Sequence, residues 1–310
     1  MLAKKEANSN IEGFGMTKKH KTIRISLLIF SIITLFFLIS IPVDRYRVNA
    51  HIARRVRLLN DFPLFEDDGV ILSFSYDLNR RDLYMDLIEK FNLDAVTAGY
   101  SDVELMLVLM NWVADTVGHY GNSGWPPPGG TDAMSITSYA ENYGNRINCR
   151  GLAILLAEVL RLYGIPAKHI TAYPYEDDHP VHVITHAYSA QLNQWILLDP
   201  TFRLYVTDAN GNFLNLYTLR QAFMEGTPIL INENASHNGR RYTLRRYRLF
   251  MSDYLFRFST GTNFTFGSEE IGAGTTNVML VPVNFSRGGW EITTTSANTF
   301  FATPERKNHA

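Results

Sequence analysis

Cysteine is nearly missing from this chain. Cys149 is the only one in 310 residues, which excludes any intrachain disulfide. The scarcity fixes no compartment, because a chain of this length builds a core without covalent staples. An excess of charge is missing too. With 29 basic and 30 acidic residues the formal net charge is −1, so nothing favours a general affinity for nucleic acid. Internal repeats and low-complexity tracts are absent as well. What remains is the composition of a folded chain, 46% hydrophobic and 13% aromatic, enough for one large domain or two small ones.

One apolar run stands out. Residues 25–43 form 19 positions without a charge, and as a helix they span about 28 Å, close to the hydrocarbon thickness of a bilayer. The run predicts a single transmembrane helix, a membrane partner for the chain. Lys18, Lys19, Lys21 and Arg24 precede it, and Arg45, Arg47, Arg54, Arg55 and Arg57 follow. Positive-inside reasoning then makes residues 1–24 a cytoplasmic tail and puts the bulk of the chain outside the cytoplasm. A cleaved signal peptide is the competing reading, with Val48-Asn49-Ala50 as its cleavage site. The run exceeds the usual apolar region of about 7–15 residues.

Further along, residues 44–76 carry only short apolar pieces. Residues 77–93 predict an amphipathic helix, with Leu78, Leu83, Met85, Leu87, Ile88 and Phe91 on one face. Ser101 and Glu104 form a capping-box pattern ahead of the apolar run 105–117. Residues 121–130 hold too many glycines and prolines for a regular element. A short helix is expected over 134–143. The next helix begins at Cys149 and ends at Gly164, where glycine supplies a C-cap before Ile165-Pro166. Then the pattern changes to strands at 169–173, 181–190 and 194–199, the last two flanking Leu192-Asn193 as a hairpin turn. Asn210-Gly211 is another turn. A short helix follows at 216–224. From Tyr242 on, Tyr, Phe, Thr and Val predict more strands, with Arg240, Arg241, Arg245, Arg246 and Arg248 on a solvated strand face. Helices first, then an antiparallel sheet, is an α+β order. The boundaries this predicts are 44–100 for a juxtamembrane and leading segment, 101–231 for the core domain, and 232–310 for a β-rich extension.

The chemistry concentrates at the start of the Cys149 helix. A thiol there meets unpaired N–H groups and the positive end of the helix dipole, both of which favour the thiolate. His182 and His186 follow as candidate bases. Asp199 ends Trp195-Ile196-Leu197-Leu198-Asp199 and is placed to orient an imidazole on the neighbouring strand. Cysteine, histidine and aspartate together make a nucleophile, a base and an orienter. Residues 182, 184 and 186 share a strand face. Bland readings stand beside these. A lone cysteine is commonly a buried inert thiol, a strand histidine is commonly a satisfied core residue, and an aspartate before proline commonly starts a turn. His179 has the opposite strand parity to His182 and His186, and no metalloprotease glutamate accompanies them, so a zinc site is disfavoured. Trp195 and Tyr188 read as core.

These residues resemble the transglutaminase-like (papain-like) superfamily from about Ser101 to Ile231. The matching pieces are Asn148-Cys149-Arg150-Gly151-Leu152-Ala153, then Gly164-Ile165-Pro166-Ala167. They continue with His182-Val183-Ile184-Thr185-His186-Ala187-Tyr188-Ser189 and Trp195-Ile196-Leu197-Leu198-Asp199-Pro200-Thr201-Phe202. The resemblance implies a cysteine-bearing helix packed on an antiparallel sheet. It puts the family's cysteine at Cys149 and its aspartate at Asp199. One alignment puts the family's histidine at His182, with His186 in place of a glutamate; the other puts it at His186. It also implies acyl transfer on amide bonds through a thioester, most often hydrolysis in bacterial-type members, on a protein or peptide substrate and with no cofactor. True transglutamination, or a domain that keeps the scaffold for protein interaction without catalysis, are the alternatives. Trp112, His119 and Trp125 are candidate oxyanion donors, beside the Cys149 backbone N–H.

Overall fold

A computed structural model describes residues 18–62, 67–142, 144–267, 276–285 and 292–304. The chain divides into two compact units, Met1–His51 and Ile52–Ala310. A helix, Lys18–Asp61, begins in the first unit and ends in the second. The expected membrane span lies on this helix, and the side chains of residues 36–43 fall outside the described residues. Among the described residues no helix is long and apolar enough to cross a membrane.

The second unit is a mixed α+β fold built on an eight-stranded sheet. Its spatial order is Ile292–Thr294, Asn277–Leu280, Arg257–Gly261, Ala167–Tyr173, His182–Ser189, Gln194–Asp199, Leu204–Asp208 and Ile229–Ile231. Neighbours are antiparallel except Asn277–Leu280 with Ile292–Thr294, which run parallel. Strand alternation sends side chains to two cores. Ala187, Ile196 and Leu198 join the helical core on one face, whereas Ile184, Leu197 and Ile170 join an aromatic-rich core on the other.

The cysteine helix, Cys149–Leu162, packs on the first face. It lies between the sheet and two helices, Asp102–Thr116 and Ala133–Asn142, so every residue from Gly151 to Leu162 is buried. That explains an apolar run with no polar stripe. At the far end of the helix, the buried Glu158 carboxylate accepts from Tyr84 Oη, Ala133 N and Gly267 N. Gly164 closes the helix at φ +80°, and a Cβ there would sit 2.7 Å from Asn79 Oδ1. A helix anchored so firmly at its C-terminal end holds its first residue in a fixed place.

Four expectations need correction. The helix expected over 77–93 is broken into Arg81–Leu83, Met85–Lys90 and Leu93–Thr97. Tyr84 leaves helical geometry, and Asn92 turns left-handed at φ 48°. Ser101 precedes the helix as expected, yet its side chain forms no capping bond. The region after Tyr242 is not all strand. Thr243 accepts from Arg246 N and starts a helix, Leu244–Met251, whose Tyr247 and Met251 are buried. Arg245, Arg246 and Arg248 therefore ride a helix, not a strand face, whereas Arg240–Arg241 pairs with Ser236–His237 in a small hairpin. The later strands Arg257–Gly261 and Asn277–Leu280 extend the main sheet.

Candidate active site

Three local devices bring the cysteine to its place. Asn148 caps the helix, its Oδ1 accepting from Gly151 N at 3.0 Å. Its own N–H donates to Ser123 Oγ at 2.8 Å. Just before it, Arg146–Ile147 pairs in parallel with Gly118–His119. Gly151 is required by this close approach, because a Cβ there would lie 2.5 Å from Ile147 Cδ1. The Asn-Cys-Arg-Gly segment thus has packing reasons for its first and last residues and a chemical one for its second.

The structure brings Cys149, His182 and Asp199 together. His182 opens its strand, and its Nε2 lies 2.8 Å from Asp199 Oδ2. The other oxygen, Oδ1, accepts from Thr201 N at 3.1 Å, and the carboxylate is fully buried. With Nε2 committed to Asp199, Nδ1 is left for the hydrogen bond between His182 and Cys149. Phe202, Phe250 and Tyr254 hold the imidazole by ring contacts. Cys149 as a residue is half-buried.

Burial pushes the thiol pKa up, but hydrogen bonds from His119 and His182, the charge of His182 and the Val183 backbone N–H outweigh it and bring Cys149 down to about 5. Burial also works against the His182 cation. The Asp199 charge and hydrogen bond, with the Cys149 thiolate, raise it to about 10. Between those values the pair rests as thiolate and imidazolium.

A second imidazole acts on the thiol. His119 is among the groups that lower the Cys149 pKa, and its Nδ1 lies 3.0 Å from His237 Nε2. Asn238 brackets the His119 backbone, accepting from its N at 2.7 Å and donating to its O at 3.0 Å. Burial, then His119, lowers the pKa of His237. With Nδ1 engaged by His237, Nε2 is the His119 ring nitrogen left for another partner. Of the three oxyanion-donor candidates, only His119 is among the groups that act on the Cys149 pKa. Trp112 is buried in the helical core, and Trp125 packs against the same cluster.

His186 is elsewhere. It lies about 13 Å along the same strand face from His182. It is fully buried, and its Nε2 accepts from Leu216 N at 3.1 Å. Burial, then the Lys168 charge, holds its pKa well below the ordinary range. His179 is exposed and bonded to Asp178. Glu176, Asp177 and Asp178 next to it pair with Arg55, Arg257 and His179 in turn. His237 was not visible as a site residue in the sequence. The signal for its neighbourhood was the Asn238-Gly239 turn, and for Phe250 and Tyr254 it was the helical spacing of Leu244, Tyr247 and Met251.

Residues 93–200 match the model of the Transglutaminase-like superfamily, a segment that contains Cys149, His182 and Asp199. Among solved structures, one similar chain is described as a "Putative Cysteine Protease" from Cytophaga hutchinsonii. It is 20% identical, with a TM-score of 0.31, over 53% of this chain and 50% of that one. Another, described as a TGase, is 17% identical with a TM-score of 0.30, over 39% of this chain and 32% of that one. The chain thus spans half the length of the first and about a third of the second. No curated protein matches it.

Proposed function

We propose that the protein is a cysteine enzyme that transfers acyl groups from amide bonds of a protein or peptide through Cys149. The observation that carries this reading is the thiol of a half-buried cysteine at a helix start, bonded to an imidazole that is itself bonded to a buried carboxylate. The thiolate attacks the amide carbon, and the carbonyl oxygen becomes an oxyanion. His119 Nε2–H and the Cys149 N–H stabilise that charge. His182 gives its Nδ1 proton to the leaving amine, the C–N bond breaks, and a thioester remains. Asp199 keeps the imidazole oriented and stabilises its cation. Water then attacks the thioester, His182 accepts its proton, and the acid and free thiolate form. Resemblance to bacterial-type relatives favours water, which makes the enzyme a peptidase or amidase. A primary amine as acceptor would make it a transglutaminase.

The site draws on residues beyond 231, because His237, Phe250 and Tyr254 all line it. The working unit is therefore longer than a 101–231 core. We further propose that residues 25–43 anchor this unit to a membrane, outside the cytoplasm; salt- and carbonate-resistant membrane fractionation of the full chain tests that.

The functional test is a peptide library incubated with the protein, with and without a primary amine, and read by mass. Cleaved or deamidated peptides that vanish in Cys149→Ala are expected. Amine adducts would establish transamidation. An unchanged library, or changes that persist in Cys149→Ala, would refute the enzymatic reading.

A further inference from the structure

Next to the start of the Cys149 helix, on the side of the His182 strand away from Asp199, the sheet carries a recess that Arg150 lines and that, among the described residues, no acid lines. Arg150, the residue after Cys149, stands at its edge. Its Nη2 lies 3.5 Å from Thr171 Oγ1, and among the described residues no carboxylate pairs with it. The wall of the recess follows from strand register. Val183, whose backbone N–H is among the groups that lower the Cys149 pKa, pairs with Thr171, and Thr171 pairs with Ser259. Successive partners in an antiparallel sheet share a face, so this row leads straight away from the sulfur. Tyr173 Oη and Ser259 Oγ lie 3.0 Å apart along that wall, and His169, Thr260, Asn263 and Asn277 are among the other lining residues. None of the lining residues is acidic.

A guanidinium beside hydroxyl and amide groups, with no carboxylate partner among the described residues, is suited to bind an anion through its planar fork. We propose that this recess is a substrate subsite for a carboxylate close to the scissile amide, with Arg150 as its specificity-determining residue. The substrate class is thus an acidic peptide, one with a side-chain or terminal carboxylate next to the attacked bond. The proposal rests on the reading of Cys149 as the nucleophile.

Alkylation of the single cysteine tests both separately. Iodoacetate and 3-iodopropionate carry the carboxylate; iodoacetamide and 3-iodopropionamide are their neutral counterparts. The ratio of anionic to neutral rate cancels the thiolate fraction and the contribution of His182 common to all variants. Arg150→Gln is expected to lower the ratio by about tenfold for at least one acid–amide pair. Arg150→Lys should retain part of it. Asn277→Asp, which sets a like charge in the recess while leaving Arg150 in place, should lower it as well and decides the matter if Arg150→Gln fails to fold. A ratio within twofold of the parent in the folded variants would overturn the subsite while leaving the nucleophile intact. Slow iodoacetamide alkylation of the parent, with the pH profile of a free thiol, would instead refute the nucleophile reading.

Discussion

His182 and His186 sit four residues apart on one face of one strand, and the structure gives them opposite fates. His182 meets a carboxylate at 2.8 Å and a thiolate, and its pKa rises to about 10. His186 meets a lysine. Lys168 lies directly across the sheet from it, where Ala172 is the partner of His182. The Lys168 ammonium is buried among Phe74, Trp195, Phe300 and Phe301, donates to Phe300 O at 2.8 Å, and is pushed by desolvation down to about 7. Its charge, added to burial, keeps His186 neutral. The same side chain on the same strand face pairs with a carboxylate at one end and accepts a hydrogen bond from a helix start at the other. What separates them is the charge of the cross-strand surroundings, not the histidine.

That contrast sets the predictions. Cys149→Ala removes the nucleophile and should cut turnover by about 10⁵-fold or more, measured on any substrate found in the peptide library. His182→Gln should cost nearly as much. Asp199→Asn, which keeps shape but removes the charge that orients and stabilises the cation, should cost about 10³- to 10⁴-fold in kcat. His119→Phe removes one oxyanion donor and should cost about 10²-fold in kcat, with a smaller effect on KM. His186→Gln, by contrast, should leave kcat within about twofold. It should reduce stability by about 1 kcal/mol in urea unfolding, because Leu216 N loses a good acceptor. A collapse of activity in His186→Gln comparable to His182→Gln would erase the distinction between the two.

The pH profile sharpens the same contrast. Thiolate is lost as pH falls through about 5, so kcat/KM should drop on that side. The proton that His182 gives to the leaving amine is lost as pH rises through about 10, which sets the other limb. Lys168→Met, which removes the cation beside His186, should leave both limbs where they are. Movement of either limb would mean that the two regions are electrostatically joined.

Much of this was legible in the chain, and for local reasons. The cysteine helix announces itself through Asn148, an unbroken apolar run and Gly164. The histidine and aspartate strands announce themselves through β-branched residues around a tight turn. Residues whose role depends on distant partners were not legible. Nothing near His237 says that its ring will meet His119, because that contact spans more than a hundred residues and depends on Asn238 gripping the His119 backbone. The helix Leu244–Met251 was hidden by its aromatic and arginine content, which suits a strand equally well until Thr243 is seen to cap it. Asn92 broke an amphipathic pattern by turning left-handed, an option open to asparagine that periodicity does not register.

One titration tests the central claim most directly. Because Cys149 is the only cysteine, the ultraviolet absorbance of thiolate reports that residue alone. The account predicts a thiolate signal that persists down to about pH 5, disappears in Cys149→Ser, and shifts upward in His182→Gln. A signal that emerges only around pH 8.5, the value of an unperturbed thiol, and is unmoved by His182→Gln would contradict it.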